Sequence, residues 1–228
     1  MNSGHDSRSL FLDGPAGQLE AILWSPAKEG PPPLAAVVCH PHPLFGGTMH
    51  NKVVYRVAKS LDALGLPVLR FNFRGTGKST GTHDRGVGEG GDVQAALDFL
   101  SAEFSGVPQL VAGFSFGSLV GLRVGCEDDR VIALIGLGLP VNQSDVSFLG
   151  SCVKPKLFVQ GGEDQFGAVE KLRVVVSRLP EPKRLVAVAG GDHFFVGKLD
   201  QVDTAISEWT RERIAAATMP GPSKLRVN

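Results

Sequence analysis

The sequence predicts one α/β domain with a mostly parallel, twisted β-sheet and helices on both of its faces. Three observations lead to this fold class. The 228 residues are 43% hydrophobic, which suits one sizeable core. Short apolar runs alternate with longer amphipathic stretches, and neither an internal repeat nor a second domain interrupts them. We therefore expect a single domain over residues 1–218, a loose tail over residues 219–228, and functional loops at the carboxyl ends of the strands.

The first part of the chain predicts a hairpin followed by a strand, a helix and a strand. Two short apolar runs flank a Gly-Pro-Ala-Gly turn at residues 14–17, which favours a β-hairpin. A continuous apolar run at residues 34–39 is typical of a buried parallel strand. Apolar residues then recur at helical spacing until Gly65 and Pro67. The predicted elements are strands at residues 9–12, 18–24, 34–39 and 68–73, and a helix at residues 52–64.

The rest of the chain continues the alternation of strands and helices. Short runs rich in Val, Leu and Ile indicate strands, and longer stretches with helical periodicity indicate helices. The predicted strands are residues 109–112, 131–138, 156–160 and 184–189, and the predicted helices are residues 92–104, 116–126, 169–179 and 202–217.

Composition limits the classes of partner. Lys plus Arg and Asp plus Glu both number 23, so the formal net charge is zero, and a nucleic acid or an acidic membrane would call for a basic excess. Cys39, Cys126 and Cys152 lack motif spacing, which is typical of reduced thiols. No apolar run approaches the roughly 18 residues of a membrane helix, and the N-terminus lacks the pattern of a signal peptide. We expect a cytoplasmic monomer or homodimer.

Residues 71–80, FNFRGTGKST, raise the possibility of a phosphate-binding loop. Gly77-Lys78-Ser79 matches the end of a Walker A motif, but the position five residues before Gly77 is Asn72, where the motif requires glycine. The five glycines in residues 80–91 also argue against the helix that must follow such a loop. We interpret the segment as a glycine-rich loop after a strand, in which Arg74 pairs with a neighbouring loop.

A stronger signal is GFSFG at residues 113–117, which lies between a predicted strand and a predicted helix. This is a G-x-S-x-G elbow, in which a tight strand-to-helix turn exposes the hydroxyl of a serine. Glycines at both ends allow the strand and the helix to approach closely. The pattern predicts Ser115 as a nucleophile and the N–H of Phe116 as an oxyanion donor, although a structural serine in a tight turn is the alternative.

A serine nucleophile needs a base and an acid that orients the base, in the chain order Ser, acid, His. The strand at residues 156–160 is followed by Glu163 and Asp164, and the strand at residues 184–189 by Asp192 and His193. We predict Asp164 as the acid, with Glu163 solvated, and His193 as the base. The alternatives are a loop-shaping or capping role for Asp192 and a packed histidine at the start of the last helix.

The loop at residues 39–52, CHPHPLFGGTMHNK, follows the first long parallel strand, which is the expected position of the second oxyanion donor. Its three histidines raise the possibility of a metal, but no matching carboxylates or cysteines accompany them, so we predict no metal and no cofactor. Two prolines stiffen the loop and Gly46-Gly47 let it bend back. We predict the N–H of His42 as the donor, with Leu44 as the alternative.

Five stretches, VVCHPHPLFGGTMHNKVV, LRFNFRGTGKSTG, GFSFGS, VQGGEDQ and GDHFF, resemble the small α/β hydrolases related to dienelactone hydrolases and serine aminopeptidase-like hydrolases. More narrowly, the chain is similar to lidless bacterial carboxylesterase-like members. The resemblance implies the α/β-hydrolase fold without a cap domain, with Ser115, Asp164 and His193 as the triad. It also implies that the F-R-G-x-G-x-S loop shapes the site and binds no nucleotide. Dienelactone hydrolases use a cysteine nucleophile, so the serine argues against that specificity.

The segment between residues 138 and 156 is too short for a helical cap, so we expect an open, apolar site that prefers short- to medium-chain esters. The expected function is that of a carboxylesterase acting on a small-molecule ester. A thioesterase, peptidase or acyltransferase with the same triad, and a non-catalytic binding protein, are the alternatives. We expect His83 and Arg85 to be solvated loop residues, with contact to substrate as the alternative. The predicted walls of the site are Leu44, Phe45, Phe114, Val141, Phe148 and Phe194.

Overall fold

The computed structural model of the protein describes residues 5–26 and 30–218. Its centre is one eight-stranded sheet with the strand order β1-β2-β4-β3-β5-β6-β7-β8. The hairpin of β1 and β2 joins the sheet antiparallel to β4, and all other neighbouring strands are parallel. The strands are β1 (His5–Gly14), β2 (Gly17–Pro26), β3 (Ala35–Cys39), β4 (Val68–Phe71), β5 (Gln109–Phe114), β6 (Val131–Leu137), β7 (Lys156–Gly161) and β8 (Lys183–Val188).

Five helices cover the two faces of the sheet, as predicted. They are α1 (Lys52–Asp62), α2 (Gly88–Glu103), α3 (Phe116–Glu127), α4 (Val169–Ser177) and α5 (Leu199–Thr218). In β3, odd-numbered residues pack in the core cluster of α2, α3 and α4, and even-numbered residues in the cluster of α1 and α5. This alternation follows from the two-residue period of a strand and explains why β3 is apolar throughout.

The parallel strands place their carboxyl ends at one edge of the sheet, where the loops that follow β3, β5, β7 and β8 meet. Between β6 and β7 the chain forms only turns and a short 3₁₀ segment, Ser147–Ser151, so the predicted absence of a cap is confirmed. No helix in the described part of the chain is long and apolar enough to cross a membrane. The predicted tail at residues 219–228 lies outside the described residues.

Two predicted boundaries were wrong around the glycine-rich loop. β4 ends at Phe71, two residues earlier than predicted, and α2 begins at Gly88, inside the segment whose glycines argued against a helix. Packing explains why the first residue of α2 is a glycine, because a Cβ atom at Gly88 would lie 2.1 Å from Nη1 of Arg74. The guanidinium of Arg74 forms a buried, two-pronged ion pair with Asp92 of α2, which draws the loop and the helix together.

The Gly77-Lys78-Ser79 sequence does not lead into a helix, because the eight residues 80–87 lie between Ser79 and the start of α2. The N–H of Lys78 donates to the Glu20 carboxylate at 3.0 Å, and the Ser79 hydroxyl donates to the carbonyl oxygen of Asn72 at 2.7 Å. These donors are used within the protein, and a phosphate there would face a carboxylate.

Candidate active site

Ser115 lies at the junction of β5 and α3, with the backbone at φ 55° and ψ −120°. This conformation is strained for any residue other than glycine, and it persists because the flanking elements are close. A Cβ atom at Gly113 would lie 2.2 Å from the carbonyl oxygen of Gly117, and one at Gly117 would lie 2.4 Å from that of His40. The two glycines of the motif are therefore required by backbone contacts on both sides of the serine.

The structure brings Ser115, His193 and Asp164 into one hydrogen-bonded chain. His193 Nε2 lies 2.9 Å from Ser115 Oγ, and His193 Nδ1 lies 2.8 Å from Asp164 Oδ2. Since an ionised carboxylate can only accept, Nδ1 carries the proton and Nε2 is free to accept the serine proton. Of the two adjacent acidic residues, Glu163 is exposed, and Asp164 supplies the carboxylate that contacts His193.

The Asp164 carboxylate is held by three further donors. Its Oδ1 accepts the N–H groups of Phe166 and Gly167 at 2.8 and 3.1 Å, and Oδ2 also accepts Nε2 of Gln160 at 2.8 Å. Because it is 4% exposed, these bonds replace the water that would otherwise solvate its charge. The result is a fixed carboxylate that sets both the tautomer and the orientation of His193.

Aromatic rings fix the imidazole from three sides. The ring of His193 lies 5.0 Å from that of Phe114, 4.7 Å from that of Phe166 and 5.2 Å from that of Phe194, measured between centroids. Asp192 shapes the loop that carries this ring, because its Oδ1 accepts the N–H of Val196 at 2.9 Å. His193 is thus held by packing as well as by its two hydrogen bonds.

The predicted oxyanion donors, the N–H groups of Phe116 and His42, belong to residues that line the same cavity as Ser115. Phe116 is the first residue of α3, so its N–H has no acceptor within the helix. The N–H of His42 donates to no acceptor among residues 5–26 and 30–218. By contrast, the N–H of Leu44 donates to Nδ1 of His42 at 3.2 Å, which leaves His42 as the better candidate of the two.

His40 holds the peptide that carries this donor. Its Nδ1 donates to the carbonyl oxygen of Pro41 at 2.6 Å, and its Nε2 accepts the N–H of Phe73 at 2.9 Å. The Pro41 carbonyl and the His42 N–H belong to one planar peptide unit, so a bond to the first orients the second. Burial lowers the pKa of His40 to about 4, which keeps the imidazole neutral. Sequence reasoning assigned no role to this residue.

Comparison with known proteins identifies the family of the chain. The family described as "Alpha/beta hydrolase domain" matches residues 37–219. The chain belongs to the α/β-hydrolase family. An uncharacterised protein of Rickettsia prowazekii is 35% identical over 209 residues, which cover 88% of this chain and 87% of that protein.

Two solved structures show the same fold at higher than 30% identity. The lidless α/β serine hydrolase of Xanthomonas campestris is 33% identical with a TM-score of 0.84, over 91% of this chain and 95% of that one. An α/β serine hydrolase homologue from Coxiella burnetii is 38% identical with a TM-score of 0.83, over 88% and 96% of the two chains. This chain is therefore an α/β serine hydrolase homologue.

A cavity of about 460 Å³ opens beside Ser115 in this α/β hydrolase. Its size is in the range of pockets for small molecules. Most of its wall comes from the loops that follow β3, β4, β6, β7 and β8. The lining residues are Pro41, His42, Phe45, Gly46, Gly47, Asn51, His83, Arg85, Ser115, Phe116, Leu119, Pro140, Gln143, Ser144, Phe166, His193 and Phe194.

Of the six predicted wall residues, Phe45 and Phe194 line the cavity and four do not. Phe114 is fully buried behind the ring of His193, and Val141 is 2% exposed within the core. Phe148 packs against the core beneath the guanidinium of Arg123. Leu44 is exposed but lies outside the lining.

The loop after β4 carries His83 and Arg85. Arg85 is exposed, as expected of a solvated loop residue, whereas His83 is only partly exposed. Both line the cavity, so the alternative of contact with substrate remains a prediction. The His83 ring lies 4.8 Å from that of His42, and its Nδ1 lies 2.7 Å from the Glu89 carboxylate. Phe166 was also missed, although its place two residues after Asp164 is a usable signal. Among the described residues, no group of three or more His, Cys, Asp and Glu could hold a metal ion.

Proposed function

We propose that the protein is a carboxylic ester hydrolase that works through an acyl-enzyme on Ser115. The observation that carries this proposal is the unbroken chain of hydrogen bonds from Ser115 through His193 to Asp164, placed at the wall of an open cavity. A nucleophile, a base and an orienting acid in this order are what acyl transfer requires.

In the first half-reaction, Ser115 Oγ attacks the ester carbonyl carbon while its proton moves to His193 Nε2. The carbonyl oxygen becomes an oxyanion, and the imidazolium is stabilised by Asp164. Collapse of this intermediate breaks the bond to the alcohol oxygen, which leaves with the proton from His193. In the second half, water gives its proton to His193 as it attacks the acyl-enzyme, and collapse releases the acid and restores the serine hydroxyl.

The N–H groups of Phe116 and His42 stabilise the oxyanion in both halves. They are fixed before the substrate arrives, one by α3 and the other by the bond from His40 to the Pro41 carbonyl. Each such donor lowers the barrier by about 3 kcal/mol, because it meets the charge only as the charge develops.

The cavity supports small esters as substrates. Its apolar wall includes Phe45 and Phe194, whose side chains are 86% and 48% exposed, and no cap covers them. A long acyl chain would extend from this cavity into water, so short and medium chains gain most of the available burial. Turnover of a C4 ester well above that of a C16 ester would support this, and the reverse order would contradict it.

The test is labelling with a fluorophosphonate probe, followed by intact-mass measurement. Ser115→Ala removes the nucleophile. Ser144→Ala is the matched control, because Ser144 lines the same cavity, while the two nitrogens of His193 contact Asp164 and Ser115. We expect one adduct on the wild type and on Ser144→Ala, and none on Ser115→Ala. Asp164→Asn should lower kcat about 10⁴-fold through the wrong tautomer of His193. A wild type without an adduct would contradict the proposal and favour a non-catalytic binding protein.

A further inference from the structure

The wall of the active-site cavity has an uneven charge. Of its lining residues, Arg85 is the one with a permanent charge, and none is Asp or Glu, within the part of the chain that the structure describes. The protein as a whole carries 23 basic and 23 acidic residues, so this imbalance is local. His42, His83 and His193 complete the polar part of the wall together with a few neutral side chains. The cavity wall therefore offers a cation, while the carboxylates of Glu89 and Asp164, which lie 2.7 and 2.8 Å from Nδ1 of His83 and of His193, are buried and do not line it.

Arg85 stands at the cavity on a strained backbone. Its φ of 54° is a conformation that costs a non-glycine residue on the order of 1 kcal/mol. Gly86 follows Arg85 directly, and glycines are frequent throughout this loop. A glycine at position 85 would adopt the same backbone conformation without strain. Solvation of an arginine side chain does not by itself require a strained backbone, so the strain at Arg85 needs another explanation.

One buried carboxylate, that of Glu89, stabilises the strained backbone conformation around Arg85. Glu89, in the first turn of α2, is fully buried and accepts the N–H of Asp84 at 2.8 Å and the N–H of Gly86 at 2.7 Å. These are the two residues that flank Arg85. The clamp fixes the backbone on both sides of Arg85 and leaves its side chain free to meet a ligand.

Within the part of the chain that the structure describes, the guanidinium of Arg85 has no ion-pair partner. No carboxylate oxygen in residues 5–26 and 30–218 lies within 4.0 Å of it. Asp84 precedes it, but the Asp84 carboxylate faces the Arg74 guanidinium across Gly88. A neutral donor stands on the same wall, since Nδ1 of His42 accepts the Leu44 N–H and Nε2 must then carry the ring proton.

We propose that the substrate is an ester that carries a second, ionised carboxylate, and that Arg85 binds this carboxylate while Ser115 attacks the ester. The inference rests on the proposed ester hydrolysis and names its substrate class. A planar guanidinium pairs with a planar carboxylate through two parallel N–H bonds, which orients the substrate as well as holding it. Arg85 is then a specificity-determining residue, because a neutral ester lacks this contact.

Binding can be measured without turnover in Ser115→Ala by isothermal calorimetry. The ligands are matched pairs: the monoethyl esters of succinic, glutaric and adipic acid, and the same molecules with the free acid replaced by a primary amide. The members of each pair have the same shape and differ in charge. We expect the best acid to bind about tenfold more tightly than its amide, and the ratio to fall as salt is added.

Three variants in the Ser115→Ala background assign the effect. Arg85→Gln should bring the acid-to-amide ratio close to one, and Arg85→Lys should keep part of it. Arg211→Gln, which removes the same charge from an exposed position on α5, should leave the ratio unchanged. Arg85→Gly removes the charge and relieves the backbone, so it should lose the preference without losing stability.

The results separate the two proposals. A ratio near one in Ser115→Ala for all three chain lengths, or a ratio that Arg85→Gln leaves intact, would overturn the carboxylate site. Ester hydrolysis itself is judged by the fluorophosphonate adduct on the wild type, which does not depend on Arg85. If methyl phosphate monoester displaced the acids with higher affinity than any of them, the site would be for phosphate and the carboxylate assignment would be wrong.

Discussion

The stability of the protein should depend on pH through His40. Burial lowers the pKa of this imidazole from 6.5 to about 4, and no charged group contributes to the shift. Below pH 6.5 the unfolded chain therefore takes up a proton at this position and the folded protein does not. Protons bound preferentially by the unfolded state lower the free energy of unfolding as pH falls, so stability decreases between pH 6.5 and about pH 4.

The size of the effect follows from the two pKa values. pH 5 lies one and a half units below the pKa of the unfolded histidine, and each unit lowers the free energy of unfolding by about 1.4 kcal/mol. The free energy of unfolding should therefore fall by about 2 kcal/mol between pH 7 and pH 5. Carboxylates with lowered pKa values, such as Asp128 at about 2, lose their contribution mainly below pH 5, where their unfolded forms titrate. Between pH 7 and pH 5, the change in stability is therefore attributed to histidine and not to these carboxylates.

The assay is urea unfolding of the wild type, His40→Gln and His50→Gln at pH 7, 6 and 5. At pH 7, His40→Gln should cost about 1–3 kcal/mol, since the Pro41 carbonyl and the Phe73 N–H lose well-placed partners. The difference from the wild type should then shrink by about 2 kcal/mol at pH 5. His50 is an exposed histidine of the same loop, so His50→Gln should follow the wild type. A difference between wild type and His40→Gln that stays constant from pH 7 to pH 5 would refute the reasoning.

Two further substitutions test the loops around the site. Gly47→Ala would place a Cβ atom 2.1 Å from the carbonyl oxygen of Pro41, so kcat should fall about 100-fold in steady-state ester hydrolysis. Gly46→Ala has open space around it and should cost about 1 kcal/mol of stability while leaving most of kcat. Asp92→Ala removes the carboxylate that pairs with the buried Arg74, so the free energy of unfolding in urea should fall by about 3–5 kcal/mol. Glu212→Ala breaks an exposed ion pair and should lower it by under about 1 kcal/mol. Equal losses in the two variants would contradict this reasoning.

The convergence of Ser115, Asp164 and His193 could be predicted because it depends on strand ends. Ser115 follows β5 directly, and Asp164 and His193 lie three and five positions after the ends of β7 and β8. Parallel strands bring their carboxyl ends to one edge of the sheet, whatever helices connect them. The order of residue types along the chain therefore carries three-dimensional information. Their catalytic roles remain the proposal that labelling of Ser115 tests.

The wall of the cavity could not be predicted in the same way. Phe114 and Phe116 flank the same serine, yet one is buried behind His193 and the other lines the cavity. Which way each ring points depends on the turn at Ser115 and on the helices packed behind it, and hydrophobicity alone does not distinguish them. The start of α2 is a similar case, because three glycines in its first turn oppose a helix while the pairing of Arg74 with Asp92 favours it.

The strained residues show where local preference and tertiary structure disagree. In the described ranges, the non-glycine residues with positive φ are Arg85, Ser115 and Phe195, and all three lie in or beside the active-site region. The strain at Ser115 follows from the elbow, and Phe195 is fully buried in the loop that carries His193. Neither reason applies to Arg85, which is exposed and belongs to no strand or helix. The two hydrogen bonds from the backbone around Arg85 to the buried Glu89 are explained if the place of Arg85 in the cavity wall is itself useful, and the pairs of acids and amides test this reasoning.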